Sequence, residues 1–396
     1  MSVKRKDNKG RILLIGESQR KDGRYAYKYK DIYGKTKFIY SWRLNPTDPL
    51  PKGKRNCKSL RELKQEIWRD KMDHIDFSAR KLSVCDLYAK FNSLRPNVRK
   101  STQISRQHFM EILKADKIGS MTIDCIKESD AKEFIIRMSN QGYSFQTIKN
   151  YLRSMKAAGH MAVREDMLRK NPFDFAISDV ITDDTEKKIA LTKEQTEAIL
   201  AFAKKDETYK KYYNAIVVLL YTGLRISELC GLTDEDIDFE NSFISVDHQL
   251  IKDREGYHVT LPKPSNSIRK IPMLDPERQA LQIEMESRKG KENMEIDGYS
   301  DFIFLSKRGL PMYGGRYAIA FPQMIKKHNK IHKGYELPFI TPHTFRHTFC
   351  TNMANKRMTP TNLQYILGHK NFAISLSYYC HASSESAMAE MLEIQD

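Results

Sequence analysis

The chain has 396 residues, of which 40% are hydrophobic and 10% aromatic, so it can bury the cores of two or three domains and is not a disordered tail. Its formal net charge of +17 favours a polyanionic partner, most simply nucleic acid, although basic enzymes of small acidic substrates exist.

Targeting and metal signals are absent from the sequence. No run of about 18 apolar residues occurs, and the first ten residues lack the apolar core of a signal peptide, so we expect an intracellular protein with no membrane partner. The cysteines form no C-x-x-C pair, which argues against a zinc site or a disulfide framework. They are Cys57, Cys85, Cys125, Cys230, Cys350 and Cys380.

Residues 1–75 are strongly basic, with 21 Lys and Arg against 9 Asp and Glu, and so carry twelve of the seventeen excess positive charges. Apolar and polar residues alternate over 25–30 and again over 37–42, on either side of Gly34, which predicts a hairpin with a basic face. The apolar stretch 12–15 is a candidate third strand.

Ser59 and Glu62 have capping-box spacing and predict the start of a helix. The apolar side of this helix is expected to contain Leu60, Leu63, Ile67 and Trp68. Together, these patterns predict a small basic sheet backed by one helix. A sheet face of Lys and Arg can enter a DNA major groove, and although such a face can also be merely solvated, the charge excess favours DNA contact. The candidate contacts are Arg24, Lys28 and Lys37.

Residues 80–176 are poor in strand patterns and carry helical ones. Near position 150 the apolar residues recur at helical spacing, and basic residues are interspersed with them. The apolar set is Ile148, Tyr151, Leu152 and Met155. Lys149 and Arg153 can grip phosphates, but a solvated face explains them equally well. The acidic, polar stretch 178–190 then suits a linker.

The remainder combines long helices with a strand-rich region at 242–273. Arg225 begins a helix after Gly223 ends the previous one, and alone it would be read as a structural ion pair with Glu228. Lys263 lies in a predicted turn between two strands, where an ordinary hairpin lysine is the simpler interpretation.

Residues 341–356 predict a helix that begins at Thr341 and Pro342. At about 100° per residue, three basic side chains share one face close to the helix start, where an anion is favoured, and aromatic residues occupy the other. The basic residues are His343, Arg346 and His347. A solvated face is an equally good explanation of this helix alone. His369 follows Gly368, and Tyr378 and Tyr379 come later as a pair that is most simply buried.

The order of these residues resembles that of the tyrosine recombinases, also called phage-type integrases. The matching positions are Arg225, Lys263, His343, Arg346, His369 and Tyr379-Cys380-His381. The words TGLRISEL, TPHTFRHTF and YILGH match as well, and the resemblance extends over about 190–390. The basic module at 1–75 and the helical segment at 80–176 resemble the arm-binding and core-binding domains of integrases, especially those of Gram-positive conjugative transposons.

The resemblance implies a multidomain α+β fold. We expect an arm-type DNA-binding domain at 1–75, formed by a three-stranded sheet and a helix, and a helical core-binding domain at 80–176. A mainly helical catalytic domain with a small antiparallel sheet is expected at 185–396.

The implied activity is site-specific cutting and rejoining of DNA through a 3′-phosphotyrosyl intermediate, which integrates and excises a conjugative transposon or phage without metal or cofactor. By this resemblance Tyr379 is the nucleophile, Arg225 and Arg346 hold the phosphate, His343 accepts the tyrosine proton, Lys263 protonates the leaving oxygen and His369 bonds the phosphate or braces the site. Tyr378 remains the alternative nucleophile, although the Tyr-x-His pattern favours Tyr379.

The family also implies partners. We expect double-stranded DNA with core and arm sites, a homotetramer on paired sites, an excisionase and a host DNA-bending protein, in the nucleoid of a bacterial cytoplasm. A C-terminal helix with Met388, Met391 and Leu392 on one face can dock within its own protomer or on a neighbour. Two alternatives stay open, namely a type IB topoisomerase and a non-catalytic DNA-binding regulator.

Overall fold

The computed structural model describes residues 5–30, 34–72, 82–185, 190–261, 268–290, 294–369, 371–376 and 379. The chain divides into two compact units, Met1–Glu186 and Lys187–Asp396. Among the described residues, none of the helices combines the length and the apolar character needed to cross a bilayer.

The first unit begins with a three-stranded antiparallel sheet in the order β1-β2-β3. The strands are β1 (Glu17–Gln19), β2 (Tyr25–Lys30) and β3 (Thr36–Ser41). The predicted hairpin is confirmed, but the third strand is β1 and not residues 12–15. Within that stretch Ile12 forms only an isolated bridge with Lys6, and Ile15 is exposed, because β1 already occupies the open edge of β2.

The register of the hairpin separates its two faces. Lys28 pairs with Phe38, whereas Tyr29 pairs with Lys37, and directly paired residues share a face. Since successive residues alternate between faces, Lys28 and Lys37 lie on opposite sides of the sheet. The expected single basic face is therefore wrong for these two lysines.

Helix α1 (Leu60–Met72) packs on one side of this sheet. Its capping box is confirmed, since the Ser59 amide donates to Glu62 at 2.7 Å and the Glu62 amide donates to Ser59 at 3.3 Å. Leu60 and Ile67 are buried, but Trp68 is 61% exposed, contrary to expectation. One residue beyond Ile67, its side chain is rotated about 100° off the packed face.

The rest of the first unit is helical. The helices are α2 (Val84–Ser93), α3 (Lys100–Ala115), α4 (Lys117–Ser120), α5 (Glu128–Asn140) and α6 (Phe145–Arg164). The apolar stripe predicted for α6 is buried, and Tyr151 stacks on Phe109 with 4.2 Å between ring centroids. Lys149 and Arg153 are exposed on the solvent side of α6.

The second unit contains the remaining helices and strands. They are α7 (Lys193–Lys205), α8 (Tyr213–Thr222), α9 (Ile226–Gly231), β4 (Ile237–Asp238), β5 (Phe243–Val246), β6 (Gln249–Lys252), β7 (Tyr257–Thr260), β8 (Arg269–Pro272), α10 (Asp275–Ser287), α11 (Gly314–Ile331), α12 (Pro342–Asn355), α13 (Pro360–Leu367) and α14 (Phe372–Leu376). Helix α8 is apolar on nearly all sides and packs against α7, α10 and α12, as expected for a central helix.

The strands form two small antiparallel sheets, β4-β5-β8 and β6-β7. The two strands that flank Lys263 were expected to form a hairpin, and this is wrong, because β7 pairs with β6 whereas β8 pairs with β5. The chain passes from one sheet to the other between them. Lys263 itself lies outside the described residues.

Candidate active site

The turn from α8 to α9 places Arg225. Gly223 ends α8 with φ 64°, a left-handed conformation that glycine tolerates, and a Cβ atom on it would lie 2.5 Å from the Phe349 ring. Helix α12 therefore approaches the turn closely. The Arg225 amide donates to Glu228 Oε2 at 2.9 Å, and its Nη1 donates to Glu228 Oε1 at 2.7 Å. The ion pair inferred from sequence is confirmed, and it orients a side chain that is 31% exposed.

Helix α12 begins at Pro342 after the Thr341 N-cap, as predicted. Arg346 does not point into solvent with the rest of the expected basic face, because it is only 7% exposed. Its Nη1 donates to the Gly223 carbonyl at 2.7 Å and its Nη2 to the Leu367 carbonyl at 2.6 Å. His343, one turn earlier, is exposed.

Three arginines converge on the end of α13. Their acceptors are three successive carbonyls: Ile366 accepts from Arg269 Nε at 2.5 Å, Leu367 from Arg346 Nη2 at 2.6 Å, and Gly368 from Arg225 Nη2 at 3.1 Å. The last carbonyls of a helix lack intrahelical partners and carry partial negative charge, which explains why cations gather there. We call Arg225, Glu228, Arg269, Arg346 and His369 the arginine cluster.

His369 is held at the edge of this cluster by its own backbone. Its amide donates to the Gln364 carbonyl at 3.2 Å, and its carbonyl accepts from Gln364 Nε2 at 3.0 Å. The residue is only 8% exposed. Burial, together with the charges of Arg346 and Arg225, lowers the pKa of His369 to about 4. The imidazole is therefore neutral near pH 7.

Arg269 was not predicted as a functional residue, and Glu228 was predicted only as the ion-pair partner of Arg225. Burial would raise the pKa of Glu228, but the positive charge of Arg269 and its hydrogen bond outweigh burial and hold the pKa at about 2. The sequence did contain a signal for Arg269. In a strand that alternates, it shares a side with Ile271, which is buried, so an arginine was placed on the buried face.

The cluster can stabilise an anion. It contains three guanidinium groups and one carboxylate, so its net charge is positive. Burial lowers the pKa of Arg346 to about 10, with Arg225 acting in the same direction, and Arg346 still stays charged near pH 7. A guanidinium carries more N–H donors than Arg225 uses toward Glu228 and Gly368, and its partial exposure leaves donors accessible to a phosphate.

Tyr379 packs beside α12 and α13. Its hydroxyl donates to the carbonyl of Met358, in the turn between α12 and α13, and its ring packs on the apolar cluster that includes Phe349 and Leu363. Burial raises the pKa of Tyr379, and Cys350 raises it further. The tyrosine is protonated in this conformation, and its described hydrogen bond is directed to the backbone.

Three of the six predicted catalytic residues, Arg225, Arg346 and His369, are therefore brought together in the arginine cluster. Lys263, Tyr378, His381 and the C-terminal residues Met388, Met391 and Leu392 lie outside the described residues.

The candidate DNA-binding residues are distributed over the first unit. Arg24 pairs with Asp22 at 2.7 Å, and its guanidinium lies over the rings of Tyr40 and Trp42 at 5.5 and 5.7 Å. The exposed face of the hairpin thus carries aromatic side chains as well as cations, which the predicted basic face did not include.

Asp236, Asp247 and His248, in the second unit, have metal-ligand spacing, and of the three only Asp247 is partly exposed. Both ring nitrogens of His248 are already hydrogen-bonded, Nδ1 to Asp247 at 2.5 Å and Nε2 to the Gly231 carbonyl at 2.7 Å. These hydrogen bonds within the protein account for the way the three side chains lie together. The expectation that the protein needs no metal stays a prediction.

Comparison with known proteins identifies relatives over the full chain. Residues 190–386 match the phage integrase family, residues 83–180 the phage integrase SAM-like domain, and residues 1–71 the DNA binding domain of Tn916 integrase. The chain is 53% identical to the transposase from transposon Tn916 of Enterococcus faecalis, over 99% of this chain and 96% of that protein. The transposase from transposon Tn1545 of Streptococcus agalactiae has the same identity and coverage.

Solved structures agree with these relatives. The Tn1549 transposon integrase in complex with a circular intermediate DNA superposes with a TM-score of 0.76 and 50% identity, over 79% of this chain and 99% of that chain. A lambda integrase dimer bound to a core site shares the fold, with a TM-score of 0.55 and 15% identity over 93% of this chain and 95% of that chain.

Proposed function

Since this chain belongs to the phage integrase family and is a site-specific tyrosine recombinase, we propose that the arginine cluster binds the scissile phosphate of transposon DNA. The observation that carries the proposal is the convergence of Arg225, Arg346 and the neutral His369 on the end of α13. Two guanidinium groups match the geometry of phosphate oxygens and stabilise the charge that develops during phosphoryl transfer.

The proposed reaction needs a nucleophile, a base and an acid. The Tyr379 oxygen attacks phosphorus and its proton passes to His343, while the bond from phosphorus to the 5′-oxygen breaks and Lys263 protonates that oxygen. The products are a 3′-phosphotyrosyl link and a free 5′-hydroxyl, so the phosphoester bond energy is retained for rejoining. The 5′-hydroxyl of a partner strand reverses the steps.

The Tyr379 hydroxyl must give up its hydrogen bond to the Met358 carbonyl before its proton can pass to His343. In the protonated, half-buried state it is a weak nucleophile, because burial disfavours the phenolate. We infer that productive binding of DNA couples release of this tyrosine to attack.

We propose that residues 1–75 bind arm-type DNA sites, residues 80–176 bind core sites and residues 185–396 carry out cleavage. The excess charge of the first segment and its match to the DNA binding domain of Tn916 integrase support the first assignment. The DNA complexes of the Tn1549 integrase support binding to transposon ends and circular intermediates. Assembly as a tetramer in the bacterial nucleoid, with an excisionase and a DNA-bending protein, belongs to the same proposal.

The test is formation of a covalent adduct. Nicked suicide DNA that carries a transposon end is incubated with protein in EDTA and without ATP, and denaturing gels are compared for wild type, Tyr379→Phe and Tyr378→Phe. We expect an adduct in wild type and Tyr378→Phe but none in Tyr379→Phe. Loss of the adduct only in Tyr378→Phe would assign the nucleophile to the other tyrosine. If wild type binds the DNA and forms no adduct, the proposed site is wrong.

A further inference from the structure

Arg269 is a fully buried arginine that joins Glu228 of α9 to the end of α13 within the arginine cluster. It lies on β8, its side chain is 0% exposed, and its two Nη atoms donate to the two carboxylate oxygens of Glu228 at 3.3 and 2.8 Å. Its Nε donates to the Ile366 carbonyl at 2.5 Å. The planar fork of one guanidinium therefore contacts α9 and the end of α13 together.

The Glu228 carboxylate is shared between two arginines. Oε1 accepts from Arg225 Nη1 and Arg269 Nη1, and Oε2 accepts from the Arg225 amide and Arg269 Nη2. A buried carboxylate is stable only when its charge and its lone pairs are satisfied. Because Arg269 supplies half of these bonds, it determines where the carboxylate lies, and the carboxylate in turn orients Arg225.

Arg269 also fixes the turn that presents His369. Gly368 has φ 61°, and a Cβ atom at this position would lie 3.2 Å from Arg269 Nη1, so the guanidinium packs directly against the backbone just before the histidine. With the Ile366 carbonyl bound on the other side, the turn is held against β8.

We propose that Arg269 is a positioning residue for strand cleavage, which sets Arg225 and His369 relative to each other through Glu228 and the 366–369 turn. Its complete burial keeps it from touching DNA, so it acts through its neighbours. The inference rests on the proposed function of the arginine cluster and adds a requirement that the proposed catalytic residues alone do not contain.

Two substitutions separate charge from geometry. Arg269→Lys keeps a positive charge but lacks the planar fork that reaches both Glu228 oxygens and the Ile366 carbonyl. Arg269→Gln removes the charge as well. A displacement of about 1 Å in a catalytic group can cost about a hundredfold in rate, so we expect both variants to cleave about a hundredfold more slowly at saturating DNA. Their affinity for DNA should be unchanged.

The first measurement is single-turnover adduct formation on suicide DNA, with affinity measured by fluorescence anisotropy. Arg288→Gln is the matched control, because Arg288 is also buried in the second unit but pairs with Asp234, outside the cluster. We expect Arg288→Gln to retain the wild-type rate per folded molecule. Wild-type rates in both Arg269 variants would overturn the proposal, as would a loss equal to that of Arg288→Gln.

The second measurement follows His369 by NMR in DNA-free protein with ¹³C-labelled histidine. Removing the Arg269 charge in Arg269→Gln should raise the pKa of His369, because that charge adds to burial and to the charges of Arg346 and Arg225 in lowering it.

These outcomes distinguish the two proposals. If wild type forms no adduct, the proposed function fails, whereas the His369 titration still reports whether Arg269 controls that residue. If wild type forms the adduct but the His369 pKa is the same in Arg269→Gln, only the positioning role is wrong. Should Arg269→Gln fail to fold, Arg269→Lys still provides the cleavage measurement, with Arg288→Gln as its control.

Discussion

At the scale of single residues, the arginine cluster makes protein stability depend on pH. His369 has an ordinary pKa of 6.5 and a folded value of about 4, and Glu228 has an ordinary value of 4.5 and a folded value of about 2. For both groups the unfolded chain takes up a proton at higher pH than the folded chain. Stability is therefore lost as pH falls, between about 6.5 and 4 for His369 and between about 4.5 and 2 for Glu228.

In wild type, the free energy of unfolding should fall by on the order of 2 kcal/mol between pH 6.5 and 4 because of His369. We expect His369→Gln to reduce this fall. The measurement is hydrogen exchange of α8 in the second unit, because both tryptophans, Trp42 and Trp68, lie in the first unit and report on it alone. Glu228→Gln should alter the lower window instead. An identical decline in wild type and His369→Gln would contradict the assigned titration.

At the scale of elements, the C-terminal turn of α13 is the junction on which the site depends. Gly368 combines a left-handed backbone with direct contact to Arg269, and Gly223 does the same for the turn after α8 through its contact with Phe349. These two turns, together with β8, bring residues from distant parts of the sequence to one point.

Gly368→Ala is expected to destabilise the second unit by more than Gly290→Ala. Both glycines have positive φ, which costs a residue with a Cβ atom about 1–2 kcal/mol, but a Cβ atom at Gly290 meets none of the described residues within 4 Å. The excess cost in Gly368→Ala measures the clash with Arg269, and adduct formation should fall with it. Equal destabilisation of the two variants by chemical denaturation would show that the contact is unimportant.

The hairpin of the first unit gives another element-scale prediction. Lys28 shares its exposed face with Phe38, whereas Lys37 lies on the face of Tyr29, which is the side on which Leu60 of α1 packs. If the exposed face binds arm-type DNA, Lys28→Ala should weaken binding to different DNA sequences by similar amounts. The slope of log affinity against log salt concentration should fall by about one. Lys37→Ala is the matched control, and the same loss in both variants would reject a single DNA-binding face.

At the scale of the whole molecule, the net charge of +17 predicts strongly salt-dependent binding. Cations on the protein release counterions condensed on DNA, so a protein that contacts roughly six or more phosphates loses about a thousandfold or more in affinity between 50 and 200 mM salt. Titration of the full chain with transposon-end DNA at several salt concentrations tests this. A nearly flat response would mean that charge does not drive binding.

The amino-acid sequence determined local structure and the order of the site residues. Capping residues at Ser59 and Thr341, and the apolar period of α6, act within a few positions of themselves, so the helices they predict were found. The motif order by itself also predicted Arg225, Arg346 and His369 as site residues, because short words around them match the integrase pattern.

Only the tertiary structure decided how distant segments meet. The pairing of β8 with β5 rather than β7, the bonds from Arg346 to two backbone carbonyls and the link from Arg269 to Glu228 join residues between 21 and 123 positions apart. Such contacts depend on which buried surfaces pack together, and backbone carbonyls have no sequence signature. The sequence thus predicted Arg225, Arg346 and His369 as site residues. Their mutual orientation depends on the packing of α9, β8, α12 and α13.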